Sequence, residues 1–182
     1  MMDQFLELLK TKLVIGWFRV TRKLRSKDQL LAIRQNGSGV KNALIILPEG
    51  RENSRIARHF LKSLNSNGNV DLHILMDRTV YHSLSQPLPV TVQIYGVDDV
   101  SWFLLPKKEL VNRILSRKYH AVVDMHPFFN LSTAYLTYLS KAPLRIGFSS
   151  KYSNNFFNVE IERKSVDFIE QSYLSIQKLL NL

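Results

Sequence analysis

The sequence predicts an α/β, Rossmann-like fold: a doubly wound, mainly parallel five-stranded sheet in the order 3-2-1-4-5, flanked by helices. A basic helical extension precedes it. Three observations lead there. Short apolar runs alternate with segments whose apolar residues recur at helical spacing, and each parallel strand pair needs such a crossover. One run, Ala43 to Leu47, is apolar throughout, as a central strand buried on both faces must be. A chain of 182 residues, 45% of them hydrophobic, suits one domain with a real core.

From Asp3 to Ile33 the chain has no proline and carries Phe5, Leu8, Leu9, Leu13, Trp17, Val20 and Leu24 at helical spacing. That spacing predicts one or two amphipathic helices. Asn36-Gly37-Ser38-Gly39 breaks the pattern, so residues 1–40 form the extension and 41–182 a single domain. The first strand, Ala43–Leu47, runs into the turn Pro48–Glu52. Ile56, Ala57, Phe60, Leu61 and Leu64 then mark a helix ending near Asn67-Gly68. Val70–Leu75 and Val90–Tyr95 read as two further strands, with room for only a short helix between them before Pro87 and Pro89. Lys107–Arg117 is a helix carrying Leu110, Val111, Ile114 and Leu115. His120–Asp124 is the fourth strand, Leu131–Ser140 a helix, and Leu144–Phe148 the fifth strand. Val159–Ile161 has the length of an edge strand. Ser165–Leu180 closes the chain as a helix striped with Phe168, Ile169, Tyr173, Ile176, Leu179 and Leu180.

Cysteine is absent, which removes disulfides, thiolate-bound zinc and a thiol nucleophile from consideration. The longest apolar run, Leu13–Phe18, is far shorter than the roughly 20 residues that span a bilayer. It is also too short for a signal-peptide core. The expected location is therefore the cytoplasm, including the inner face of its membrane. Of the net charge of +10, half falls in the first 40 residues, most densely at Arg19, Arg22, Lys23, Arg25 and Lys27. A patch like this draws anionic surfaces. Three readings stay open: a helix docked on its own domain with its basic face in water, a membrane contact through residues 3–27, or nucleic acid. Trp17, Phe18, Trp102 and Phe103 do not form the aromatic sheet surface of an RNA-binding module, and are expected in core or helix packing.

In strand order 3-2-1-4-5 the ends of strands 1 and 4 adjoin at the switch point, where such sheets bind ligands. Two loops meet there. One holds Glu49, Gly50, Arg51, Glu52 and Asn53, and the other holds Asp124, His126 and Asn130. The first opens a helix, so free amides and the helix dipole favour an anion, with Arg51 as a forked cation. Glu49 and Glu52 are also ordinary helix-start acids, and Asp124 can equally cap its own turn. Asp71 with His73, Asp98 with Asp99, and Asp124 with His126 each lack a third metal ligand, so neither metal nor cofactor is expected. No dinucleotide, P-loop or nucleophile-elbow motif occurs.

The segment Tyr119-His-Ala-Val-Val-Asp-Met-His126, the helix after it, and Lys141-Ala-Pro-Leu-Arg-Ile-Gly-Phe148 resemble the N-terminal half of the heptosyltransferases, glycosyltransferase family 9. That family pairs a YD-x-x-ID-L strand with an SGA-x-x-RIGF segment. The likeness covers roughly residues 41–150. It implies a GT-B-type half-domain whose catalytic base follows the glycine of the first loop. Here that place holds Arg51, with Glu52 next, and the family's second, donor-binding half has no counterpart. The expectation is a half-domain that binds a phosphate- or sugar-phosphate-type anion, or a protein partner, without catalysis. Two alternatives remain: glycosyl transfer with a partner supplying the donor half, in which Glu52 could act as base, and nucleic-acid or ribonucleoprotein binding.

Overall fold

The computed structural model describes residues 2–21, 24, 40–50, 53–63, 70–84, 90–162 and 169–180. Its elements are α1 (Met2–Val20), β1 (Asn42–Ile46), α2 (Ser54–Ser63), β2 (Asp71–Asp77), α3 (Arg78–His82), β3 (Thr91–Tyr95), α4 (Lys108–Ile114), β4 (Ala121–Asp124), α5 (Leu131–Leu139), β5 (Leu144–Phe148), β6 (Val159–Ile161) and α6 (Ile169–Leu180). All six strands form one parallel sheet in the order β3-β2-β1-β4-β5-β6. It is a Rossmann-like α/β fold.

The sheet therefore has six strands where the alternation predicts five. The predicted order of the first five holds, and β6 is appended beyond β5. Only a short 3-10 turn, Ser153–Asn155, lies between β5 and β6. Strand β6 is the edge segment Val159–Ile161 noted in the sequence; it falls outside the strand–helix alternation because a crossover without a helix carries no helical stripe.

Alternate residues of the central strand feed opposite faces of the sheet. Ala43 and Ile45 pack with Ile74, Val123 and Ile146 under Ala57, Phe60 and Leu61 of α2 and Tyr173, Ile176 and Leu180 of α6. Leu44 and Ile46 pack with Leu75 and Val122 under Leu110 and Ile114 of α4 and Leu136 of α5. Leu44, Ile45 and Ile46 are all fully buried. A two-layer cover on a parallel sheet requires this run to be apolar at every position.

Helix α1 is seated on the domain. Val14, Ile15 and Phe18 bury against Leu131 and Ala134 of α5 and against Phe156 and Phe157. The Phe18 ring stacks on Tyr135 at a centroid distance of 4.8 Å. The Phe156–Phe157 part of that seat is held by the Arg145-Ile-Gly-Phe148 segment. Arg145 donates through Nε to the Phe156 carbonyl (3.1 Å) and through Nη1 to that of Ala142 (3.0 Å). A side chain at Gly147 would collide with the Phe157 ring, so only glycine lets the loop lie over β5.

Three of the four aromatics expected in packing are at the surface. Phe18 is core, whereas Trp17, Trp102 and Phe103 are exposed. Trp102 and Phe103 sit in a turn closed by the Leu104 and Lys107 amides, where no apolar layer covers them. Among the described residues no helix is long and apolar enough to cross a membrane.

Candidate functional site

β1 pairs with β2 on one side and β4 on the other, so the loops leaving β1 and β4 diverge and open a cleft above the sheet. Its volume is about 1160 Å³. Glu49, Asn53, Asp77, Tyr95 and His126 line it, together with Asn130, Ser132, Trp102 and Phe128. Helix α1 contributes Gln4, Glu7, Leu8 and Thr11.

Of the residues singled out from the sequence, Glu49, Gly50, Asn53, Asp124 and His126 come together at this switch point. Gly50 takes φ 91°, a conformation that favours glycine, and turns the chain from β1 into α2. The turn is closed by the Asn53 amide donating to the Gly50 carbonyl (3.2 Å) and by Asn53 Nδ2 donating to that of Glu49 (2.6 Å). Arg51 and Glu52 lie outside the described residues, as do Arg22, Lys23, Arg25 and Lys27. Arg19 is exposed on α1.

Asp124 ends β4 with its carboxylate buried and used on both oxygens. Oδ1 accepts from the His126 amide (3.1 Å) and from His126 Nδ1 (2.7 Å), and Oδ2 accepts from the Thr133 hydroxyl (2.7 Å). His126 Nε2 in turn accepts the Glu49 amide at 3.2 Å. That pattern belongs to a neutral imidazole with its proton on Nδ1. Burial opposes a charge on His126. Asp124, by charge and hydrogen bond, and then Glu49 and Asp77 outweigh burial and hold the imidazole above its ordinary value of 6.5. Adding the second proton, however, gives up the Glu49 amide bond.

Glu49 points its carboxylate at Asn130, whose Nδ2 donates to Oε1 at 2.6 Å. Asn130 Oδ1 meanwhile caps α5 by accepting from the Ser132 and Thr133 amides (3.0 and 3.2 Å). Burial pushes the Glu49 carboxyl above 4.5. His126 pulls it down, and Asp77, Asp124 and Glu7 push it further up.

Beside these carboxylates lies Tyr95, 3% exposed, at the end of β3. Its hydroxyl is buried and has no hydrogen-bond partner among the described residues. Burial, then the charges of Glu49, Asp124 and Asp77, keep it well above the ordinary tyrosine range, so it stays an O–H donor. Sequence reasoning placed Asn130 in the second loop without giving it a role, and missed Tyr95, Asp77 and Thr133 as site residues. Asp77 and Tyr95 are register partners at the carboxyl ends of β2 and β3. The rule that pointed to strands 1 and 4 could have pointed there too, had every strand end been read.

A family of unknown function, DUF6913, matches residues 18–176. The chain belongs to the DUF6913 family. No curated protein matches it. Two solved structures share the fold of this DUF6913 member. One is a glycosyl transferase family 9 protein from Veillonella parvula, with TM-score 0.58 and 15% identity over 77% of this chain and 41% of that one. The other is the E. coli heptosyltransferase WaaC with ADP, with TM-score 0.55 and 14% identity over 76% and 46%. The chain thus spans less than half the length of either protein. The resemblance read from Tyr119 to Phe148 holds at the level of fold.

Proposed function

We propose that this chain is a glycosyltransferase-like half-domain that binds a sugar-phosphate-type ligand in the cleft without transferring sugar. The unpartnered, buried hydroxyl of Tyr95, a residue that lines the cleft together with Glu49, carries this reading. A ligand hydroxyl accepting from Tyr95 and donating to Glu49 would satisfy a group that otherwise costs free energy. The floor, with Glu49 and Asp77, suits hydroxyls and repels phosphate. The anionic part of the ligand is assigned to the mouth, where Lys12 and Lys151 line the cleft and where Arg51 follows Gly50 in sequence. Catalysis is disfavoured because both His126 nitrogens are already engaged and Arg51 stands where the related family places its acid.

Calorimetry with inorganic phosphate, a hexose, a hexose phosphate and ADP-linked sugar tests this. The hexose phosphate should bind more tightly than either fragment. Tyr95→Phe should weaken it about tenfold, the worth of one buried hydrogen bond. Equal heats for phosphate alone, unaffected by Tyr95→Phe, would reject it.

A second reading is favoured by the raised carboxyl of Glu49, which suits a general base. In it the chain transfers sugar together with a partner that supplies a donor half. Sugar-nucleotide turnover that appears with such a partner and vanishes in Glu49→Gln would replace the first reading.

A further inference from the structure

Helix α1 is apolar on two opposite sides. Its inner side seats Val14, Ile15 and Phe18 on the domain. By helical position, the outer side presents Phe5, Leu6, Leu9, Leu13, Trp17 and Val20 as one unbroken stripe. All six are exposed, Phe5 at 65%, Leu13 at 62% and Val20 at 84%. A helix held only by its domain would carry polar residues there. Apolar surface gathered in this way marks a contact with another body.

Cations edge the stripe. Lys12 and Arg19 fall along one side and Lys10 along the other. Lys10 Nζ lies 3.5 Å from the centroid of the Trp102 ring, itself 75% exposed. Apolar residues between basic rows, with an aromatic at the boundary, match the cross-section of an anionic lipid headgroup layer. A second copy of this chain is the poorer fit, since its own Lys and Arg rows and its charge of +10 would oppose the same charges.

We propose that α1 is an interfacial helix that lies in the surface of an anionic bilayer. Its 19 residues, about 28 Å long, rest parallel to the membrane plane. The outer stripe enters the headgroup boundary, while the inner stripe keeps the domain attached. Because Gln4, Glu7 and Thr11 of the same helix line the cleft, the site opens beside the bilayer. The proposal concerns α1 alone and stands whichever ligand the cleft takes.

The full chain is tested by co-sedimentation with vesicles of phosphatidylcholine alone and with phosphatidylglycerol added. Trp17 emission is followed in a Trp102→Phe background. The protein should pellet only with the anionic vesicles, Trp17 should shift to the blue, and added salt should weaken binding. Leu9→Glu with Leu13→Glu changes exposed positions. This double variant should melt like the wild type and lose more than about tenfold in partitioning. Lys12→Glu with Arg19→Glu should fold equally well and lose the preference for phosphatidylglycerol. Four results would overturn the proposal: no vesicle binding by the wild type, or binding unchanged in Leu9→Glu/Leu13→Glu. The third is a concentration-dependent dimer that this variant abolishes without vesicles. The fourth is RNA binding in place of vesicle binding.

Discussion

Replacing Tyr95 by phenylalanine should make the unliganded protein more stable and the cleft a poorer binding site. The Tyr95 ring is packed in the layer with Leu44, Ile46, Leu75 and Leu110, and phenylalanine keeps all of that apolar contact. What disappears is a hydroxyl that is buried without a partner. An unsatisfied buried polar group costs about 1 to 3 kcal/mol. The space left by one oxygen takes back a few tenths of a kcal/mol, at about 24 cal/mol per Å³ of cavity. The net gain is roughly 1 to 2 kcal/mol. For a chain of this size a kcal/mol moves the midpoint by about 2 to 4 °C, so Tm should rise by roughly 2 to 8 °C. Scanning calorimetry and urea titration without ligand measure this, and hexose-phosphate affinity should fall in parallel. A variant that melts lower than wild type would show that the hydroxyl is already satisfied. A variant that melts higher yet binds as tightly would show that the ligand does not use it.

Ile46 is fully buried between β2 and β4, so Ile46→Asp places an unpaired charge in the sheet. That costs several kcal/mol against a total of about 5 to 15 and should abolish cooperative melting in circular dichroism; a soluble, cooperative variant would refute the central placement. Gly147→Ala must displace the Phe157 ring and should cost about 1 to 3 kcal/mol in urea, with α1 loosened because Phe157 packs in its seat. Asp124→Ala strands His126 Nδ1 and the Thr133 hydroxyl and should cost roughly 3 to 5 kcal/mol, whereas Asp124→Asn should lose less. Glu49 has a folded pKa above 4.5, so its protonated form is favoured by folding. Its contribution is fully present below pH 4.5 and is lost as pH rises through the folded value. Glu49→Gln should therefore be more stable than wild type at pH 7 and equal to it near pH 4, as read from urea midpoints across that range.

The sheet was legible in the sequence because its physical requirement is local. Ala43–Leu47 must be apolar at each position if helices cover both faces, and Ile56 to Leu64 or Lys107 to Arg117 must repeat at helical spacing to provide that cover. These requirements determine strand order, the switch point and the meeting of the Glu49 and Asp124 loops. Their alternation of strand and helix does not reach β6, where the crossover holds no helix, although the short run Val159–Ile161 is readable as an edge strand. They are also silent on what a polar side chain does once placed. Glu49, Asp124 and His126 could be named from sequence, but an isolated carboxylate is equally a cap or a base. Asp124 and His126 became a closed network through Thr133 and the Glu49 amide, and those bonds span segments up to 77 residues apart. Tyr95 read as a strand residue, and only burial beside three carboxylates turned its hydroxyl into an unpaired donor. In α1 the spacing of apolar residues foretold a helix, yet Val14, Ile15 and Phe18 and the opposite Leu9 and Leu13 are equally apolar in sequence. Which stripe meets the domain and which is left outward depends on Leu131, Ala134, Phe156 and Phe157, and residues that distant adjoin only when the chain has folded.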